Sequence, residues 1–429
     1  MVAALPLQSA VLLTAICAYL TNTFSNQPFY KLSMGTNIDR RSLLKSGFAT
    51  LGALAVAPFV TEGAFAETPM RLDKAKRIFY SPMVRGHYVD KEVDMAKMIA
   101  RIGSNENPYG PPPMARKAIS ESIELGNRYG RTELKALTDK IATKEGVSAD
   151  HIMMGNGSGD LLEKTALAMF KDGGNIVSAD PTYMSLIRVA ESIGATWKPI
   201  PCKADWSHDL DAMEKAIDKD TKLVYICNPN NPMGAVTSTK ALTDFCSRVS
   251  EKVPIFIDEA YIELVEGADN KSMVFLLKDK KNVIIARTFS KIMGMAGLRV
   301  GYVAALPATL TEIRKTSKGG GSGIAVTSVT GALAAMDDTE FQNYTRKLNT
   351  EAKTYLYDNL KAMGYKYVTS YTNFVIFPIN MPGKEFLTKM VDKGIMVKAM
   401  DIQGKPWCRV SIGTKDEMKM FVGALQTLS

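Results

Sequence analysis

Histidine is scarce in this 429-residue chain, with only His87, His151 and His208 present. A Ser-His-Asp triad or a histidine-rich metal centre has little material to use. The five cysteines, Cys17, Cys202, Cys227, Cys246 and Cys408, are odd in number and scattered, and none forms a Cys-x-x-Cys pair. Such spacing argues against a disulfide framework and against zinc. Long runs of one charge are missing too. The net charge is +9, yet no basic run, basic-aromatic interleaving or helix-turn-helix spacing marks a nucleic-acid partner. The positive surplus suits anionic small substrates as well. The apolar stretch nearest the N-terminus, Leu5 to Leu20, is broken by Gln8 and is short for a membrane crossing, so no stable span is expected. What is present is an ordinary globular composition, 46% apolar and 23% charged. The length allows two or three domains and a full core without metal or disulfide staples.

The first 66 residues read as a leader and stand apart from the fold. Asp39-Arg-Arg-Ser-Leu-Leu-Lys45 is similar to a twin-arginine export signal. The apolar run Gly47 to Ala57 follows it, then Ala64-Phe65-Ala66, a small-x-small cleavage site. Met34 stands five residues before Asp39, where such a signal can begin. Residues 1–33 are therefore expected to be an upstream artefact and residues 34–66 the signal. A periplasmic or otherwise exported protein is expected, with cytoplasmic residence as the alternative.

Beyond the leader, apolar runs alternate with helical stretches. Arg101-Ile-Gly-Ser-Asn-Glu-Asn-Pro-Tyr-Gly-Pro111 is a loop by its Asn-Pro and Gly-Pro signals, and Tyr109 on it either packs or works. Pro113 to Ile123 reads as a helix. Arg128-Tyr-Gly130 is a second aromatic loop, and Thr132 is expected to cap the helix Glu133 to Glu145. His151-Ile-Met-Met-Gly-Asn-Gly-Ser-Gly-Asp-Leu162 reads as a strand, a Gly-rich turn and a helix start. Free N–H groups there suit an anion, or the turn is simply tight. The glycines at 155, 157 and 159 do not spell a dinucleotide fingerprint.

Three further strands end in polar residues. Asn175 to Asp180 leads to Pro181-Thr-Tyr183, where Tyr183 can stack on a flat ring or fill core. Leu223 to Cys227 leads to Asn228-Pro-Asn-Asn-Pro232, where Asn231 can donate to a ring oxygen. Pro254 to Ile257 leads to Asp258-Glu-Ala-Tyr261. A carboxylate following four apolar residues is costly unless a cation meets it, and a pyridinium nitrogen is one such cation.

The chain is organised around Thr288-Phe-Ser-Lys-Ile-Met-Gly-Met-Ala-Gly-Leu-Arg-Val-Gly-Tyr302, which follows the apolar run Val283 to Ala286. Lys291 offers an amine that can form a Schiff base with an aldehyde. Thr288, Ser290 and Arg299 offer the hydroxyls and the guanidinium fork that a phosphate monoester needs. Pyridoxal 5'-phosphate (PLP) carries both groups. Strands alternating with helices imply a largely parallel sheet, and ligands in such sheets bind at the carboxyl ends of strands. Asn231, Asp258, Ser290 and Lys291 should therefore converge on one crevice. After Arg299 comes a flexible Gly-rich segment, Ser317 to Gly323, then helices including Asp338 to Met363. The runs Asn373 to Phe377, Ile395 to Lys398 and Trp407 to Gly413 read as strands of a smaller α+β domain. Arg409, inside an apolar strand, needs an anion: a substrate carboxylate or a structural partner.

Together these residues resemble the class I/II PLP-dependent aminotransferases of fold type I, in the histidinol-phosphate aminotransferase-like branch. The resemblance is carried by Asn105-Glu-Asn-Pro-Tyr-Gly110, Arg128-Tyr129, Gly155-Asn-Gly-Ser158, Pro181-Thr-Tyr183, Asn228-Pro-Asn-Asn-Pro232, Asp258-Glu-Ala-Tyr261, Ser290-Lys291, Gly297-Leu-Arg299 and Arg409. It implies an α/β fold: a mostly parallel sheet sandwiched by helices, plus a smaller α+β domain. The expected boundaries are 67–125 for an N-terminal arm with part of the small domain, 126–320 for the large PLP-binding domain and 321–429 for the C-terminal small domain. The resemblance also implies a homodimer with shared active sites. Lys291 would bond the cofactor and move the substrate proton, and Asp258 would keep the ring nitrogen charged. Tyr183 would stack on the ring, and Asn231 and Tyr261 would hold its phenolic oxygen. Ser158, Gly159, Thr288, Ser290 and Arg299 would hold the phosphate, with Tyr129 of the second subunit. Arg409 and Asn105 would bind the substrate carboxylate, and Tyr109 would face the second subunit's substrate. The implied activity is transfer of an amino group between an L-amino acid, aromatic or histidinol-phosphate-like, and a 2-oxo acid. A PLP decarboxylase or lyase, or an exported binding protein, is the alternative. The chain departs from that branch at Gly319-Gly-Gly-Ser-Gly-Ile-Ala325 and at Ser158-Gly159-Asp160, which bears on the substrate and not on the transamination chemistry.

Overall fold

The computed structural model describes residues 81–89, 92–266, 271–317 and 323–428. The leader and most of the Gly-rich segment at 317–323 lie outside the described residues. Two short strands open the described chain, β1 (Val84–Gly86) and β2 (Ala100–Arg101). Seven strands then build the main sheet: β3 (Ile152–Gly155), β4 (Asn175–Asp180), β5 (Thr196–Pro201), β6 (Thr221–Cys227), β7 (Ile255–Asp258), β8 (Val283–Thr288) and β9 (Gly301–Ala305). Their spatial order is β3-β9-β8-β7-β6-β4-β5. Every neighbouring pair from β8 through β5 is parallel, and β9 runs antiparallel to both its neighbours.

The strands of the parallel block are buried on both faces, which is why they read as continuous apolar runs. Along β8, Val283 and Ile285 enter one apolar cluster while Ile284 and Ala286 enter the cluster on the opposite face. Tyr225 and Phe256 are among the fully buried side chains, each contributing about 2–3 kcal/mol of burial. Helices cover both faces. Ser158–Phe170 and Ser185–Ser192 lie over one, and Arg131–Glu145, Thr239–Val249 and Val326–Asp337 over the other.

A second sheet joins β1 to β10 (Phe374–Pro378), β12 (Lys398–Ile402) and β13 (Lys405–Ser411) in the antiparallel order β1-β12-β13-β10. It packs with the helices Thr339–Ala362, Gly383–Asp392 and Lys415–Gln426 around a separate apolar cluster. The last helix starts at a capping box, Thr414 with Glu417.

Three sequence readings need correction. The run Ile395 to Lys398 is two strands. Ile395–Met396 (β11) pairs in parallel with β2, and Lys398 already belongs to β12. Thr132 does not cap its helix, because the helix starts at Arg131, whose N–H donates to the Tyr129 carbonyl. The helix from Pro113 ends at Glu121, and a 3-10 turn, Ile123–Asn127, follows it. Among the described residues no helix is long and apolar enough to cross a membrane.

Candidate active site

The parallel strands β4, β6, β7 and β8 all end at the same edge of the sheet, and in register Cys227 lies beside Asp258 and Asp258 beside Ala286. A cavity of about 640 Å3 opens there. Asn105, Ser158, Gly159, Tyr183, Asn231, Asp258, Tyr261, Thr288, Ser290, Lys291, Arg299 and Arg409 all line it. Tyr109 and Tyr129 do not. Tyr109 packs edge-on against Tyr344 with ring centroids 5.7 Å apart, and Tyr129 is 91% exposed.

One end of the cavity is an anion cradle. The helix Ser158–Phe170 begins there, so its first N–H groups lack intrahelical acceptors. Gly157 precedes it at φ 78°, and a Cβ on Gly157 would sit 2.3 Å from Arg299 Nη2. Arg299 closes over this turn, donating to the carbonyls of Asn156 (3.3 Å) and Ala296 (2.9 Å). Gly301 permits the same close approach, since its Cβ would lie 2.5 Å from the Ser158 nitrogen. The Thr288 hydroxyl donates to Ser290 Oγ at 2.9 Å, completing a pair of hydroxyls beside the helix start.

Asp258 stands at the floor and is 3% exposed. Its carboxylate accepts from the Ala260 N–H at 3.1 Å and from the Tyr225 hydroxyl at 3.4 Å. Burial pushes its pKa up to about 6 despite these bonds and the nearby Lys291 charge. A buried carboxylate so little compensated suits a cationic partner. Lys291 is driven the other way. Burial first, then the charges of Arg409 and Arg299, lower its amine to about 8 against the pull of Asp258 and Glu106. Its Nζ donates to the Asn105 carbonyl at 2.9 Å and lies 5.4 Å from the Tyr261 ring centroid.

Arg409 sits on β13 over the Phe374 ring, 5.3 Å from its centroid. Its Nη1 donates to Asn231 Oδ1 at 2.6 Å and its Nη2 to the Gly103 carbonyl at 3.3 Å. The Asn231 side chain therefore turns its oxygen to Arg409, and its Nδ2 is the group left to donate to a ligand oxygen. The Asn105 amide donates to the Tyr261 hydroxyl at 3.0 Å.

Several site residues escaped the sequence reading. Tyr225 lies two residues before Cys227 on the same strand, and Ser411 lies two after Arg409, so the two-residue period of a strand could have flagged both. Asn373, Lys398 and Arg188 carried no local signal.

The donor set fits PLP at each point. The helix start, two hydroxyls and a guanidinium match a phosphate, the undercompensated Asp258 matches a protonated ring nitrogen, and the amine of low pKa matches an aldehyde. Residues 97–425 match the family described as aminotransferase class I and II. The chain belongs to that family. Two curated relatives are histidinol-phosphate aminotransferases. That of Bacillus velezensis is 36% identical over 346 residues, covering 79% of this chain and 93% of the relative. That of Moorella thermoacetica is 34% identical over 334 residues, covering 77% and 86%. A histidinol-phosphate aminotransferase from Sinorhizobium meliloti, solved in complex with pyridoxal-5'-phosphate, superposes with a TM-score of 0.71 at 25% identity, over 77% of this chain and 92% of that one. The chain is thus a PLP-dependent aminotransferase of fold type I, and the aminotransferase family's amino acid and 2-oxo acid are its substrates.

Proposed function

We propose that this aminotransferase takes its amino group from a donor with an aromatic or histidinol-phosphate-like side chain and passes it to a 2-oxo acid. The observation that carries the reading is the cavity lining beyond the residues assigned to the cofactor. It includes the apolar Val84, Val189 and Met400, and Lys398 and Arg188 add positive charge to that of Arg409. Burial and the Arg409 charge lower the Lys398 pKa, and its Nζ lies 5.7 Å from the Tyr88 ring centroid. A donor that is flat or apolar near its amino carbon and anionic at its far end complements that lining. The names of the curated relatives point to the same class.

Bound PLP supplies an electron-withdrawing ring that makes the substrate α-proton acidic. Lys291 would take that proton from the α-carbon on its Nζ and hand it to the cofactor's C4′ carbon, beyond the amino nitrogen. Asp258 keeps the ring nitrogen charged. Arg409 fixes the donor's acidic group, and Asn231 and Tyr261 hold the ring oxygen. Ser158, Gly159, Thr288, Ser290 and Arg299 hold the phosphate, and Tyr183 covers the ring face.

The protein works as a homodimer in this reading. The 91% exposure of Tyr129 and the position of Tyr109 outside its own cavity support donation of both rings to a second subunit's site. A mixture of inactive Lys291→Ala and Tyr129→Ala subunits would recover activity if sites are shared. Twin-arginine export rests on Asp39 to Lys45 and Ala64 to Ala66; N-terminal sequencing of the periplasmic fraction tests it. The substrate reading is tested by a panel of amino donors with 2-oxoglutarate, followed through the absorbance of the bound cofactor. Equal rates for anionic and neutral donors would refute the assignment of Lys398 and Arg188 to the donor's anionic end. Release of CO2 without consumption of the 2-oxo acid would select a decarboxylase instead.

A further inference from the structure

Asn105 adopts a φ of 55°, the left-handed region that asparagine tolerates better than most residues. It is 2% exposed. Ser411 holds it there from two sides. The Asn105 N–H donates to Ser411 Oγ at 2.7 Å, and the Ser411 hydroxyl donates to Asn105 Oδ1 at 3.0 Å. This reciprocal pair turns the Asn105 carbonyl to Lys291, whose Nζ donates to it at 2.9 Å. Asn373 Nδ2 donates to the same carbonyl at 3.1 Å. Ser411 does not line the cavity. Its hydroxyl reaches the site through Asn105.

We propose that Ser411 is a positioning residue: by fixing Asn105 it holds the carbonyl that receives the Lys291 amine whenever that amine is not bonded to the cofactor. The proposal rests on the reading of Lys291 as the cofactor-bonding lysine. A carbonyl acceptor favours the ammonium over the neutral amine, because the ammonium is the stronger donor. The other charged groups facing this amine are Asp258 and Glu106, which favour its charge, and Arg409 and Arg299, which oppose it. Loss of the Ser411 hydroxyl frees Asn105 to leave the left-handed conformation and withdraw its carbonyl. The amine then holds its proton less tightly.

The test is the rate at which cofactor-free protein captures PLP, measured by absorbance from pH 6 to pH 10, for the wild type and for Ser411→Ala, Ser411→Cys and Ser411→Thr. The rate rises with the neutral amine, so its midpoint reports the Lys291 pKa, about 8 in the wild type. The alanine variant should shift the midpoint down by roughly 0.5 to 1 unit, the size of one net hydrogen bond. The threonine variant keeps the hydroxyl and should track the wild type. The cysteine variant is nearly isosteric and its sulfur bonds weakly, so it should fall between. It also carries the test should the alanine variant not fold. Turnover of the alanine variant should drop about tenfold while KM for the donor changes less than about twofold. A folded alanine or cysteine variant with an unmoved midpoint would overturn the proposal, as would a threonine variant displaced as far as alanine. If the wild type captures no PLP at Lys291, the reading of the site fails as well. If it does and the Ser411 variants match it, only this proposal fails.

Discussion

Asp258 should make the cofactor-free protein less stable than it need be, and Asp258→Asn should reveal this as a pH-dependent gain. The unfolded carboxyl ionises near 3.8 and the folded one near 6. Between those values the native state keeps a proton that the unfolded chain has lost, so stability falls as pH rises through this window. Above it the full cost is in place. A displacement of about two pKa units corresponds to about 3 kcal/mol. An asparagine keeps an acceptor for the Ala260 N–H and carries no charge to desolvate. Urea unfolding of cofactor-free wild type and Asp258→Asn at pH 5 and pH 8 is the assay. The variant should be the more stable at pH 8 by up to about 3 kcal/mol, and its advantage should shrink by roughly 1.5 kcal/mol at pH 5. Added PLP should reverse the order, because the wild type gains more ligand stabilisation. A gap that stays constant between the two pH values, or a cofactor-free variant less stable at pH 8, would refute the reasoning that this carboxylate is retained for a cation supplied from outside.

Four other outcomes are expected. Lys291→Ala should bind PLP without a covalent link, so borohydride should fix the cofactor only to the wild type, and turnover should fall at least about a thousandfold. Gly157→Ala adds a Cβ at a φ of 78° and 2.3 Å from Arg299 Nη2; fluorescence titration should show PLP affinity reduced by about tenfold or more, the effect of roughly 1–3 kcal/mol of strain. Lys398→Met should raise KM for anionic donors by about tenfold with kcat nearly unchanged, and leave neutral donors alone. Arg287 is buried on the far face of the sheet among Glu145, Glu259 and Glu263; removing its charge in Arg287→Met should cost about 3–5 kcal/mol in chemical unfolding, and more at pH 8 than at pH 6, since burial already raises Glu259 to about 7.

Lys291, Asp258 and Asn231 were legible because each ends an apolar run, and parallel strands bring such ends to one edge whatever the details of packing. Asn105 was legible as a loop residue but its task was not. Its partners Ser411 and Asn373 lie 306 and 268 positions away, and no local pattern links them. The strand β5 went unread because Pro199 and Pro201 argue against a strand, and only its place at the edge of the sheet makes them tolerable. The break between Ile395–Met396 and Lys398–Ile402 was hidden for a related reason. Alternation shows that a segment is extended but not which strand it will join.

The charge of the cavity ties these residues into one device. Among the described residues, Lys291, Arg299, Arg409, Lys398 and Arg188 line it against a single lining carboxylate, Asp258. Such a surplus draws in a phosphate monoester, which carries about two negative charges near neutrality, and a substrate acid beside it. The same surplus acts on the amine. Burial with the repulsion of Arg409 and Arg299 lowers Lys291 from 10.5 to about 8, which raises its neutral fraction near pH 7 by roughly 300-fold. The cations that recognise the anionic ends of the ligands therefore add to the effect of burial on the nucleophile between them, and a site built with fewer of them would both bind more weakly and present a lysine that holds its proton more tightly.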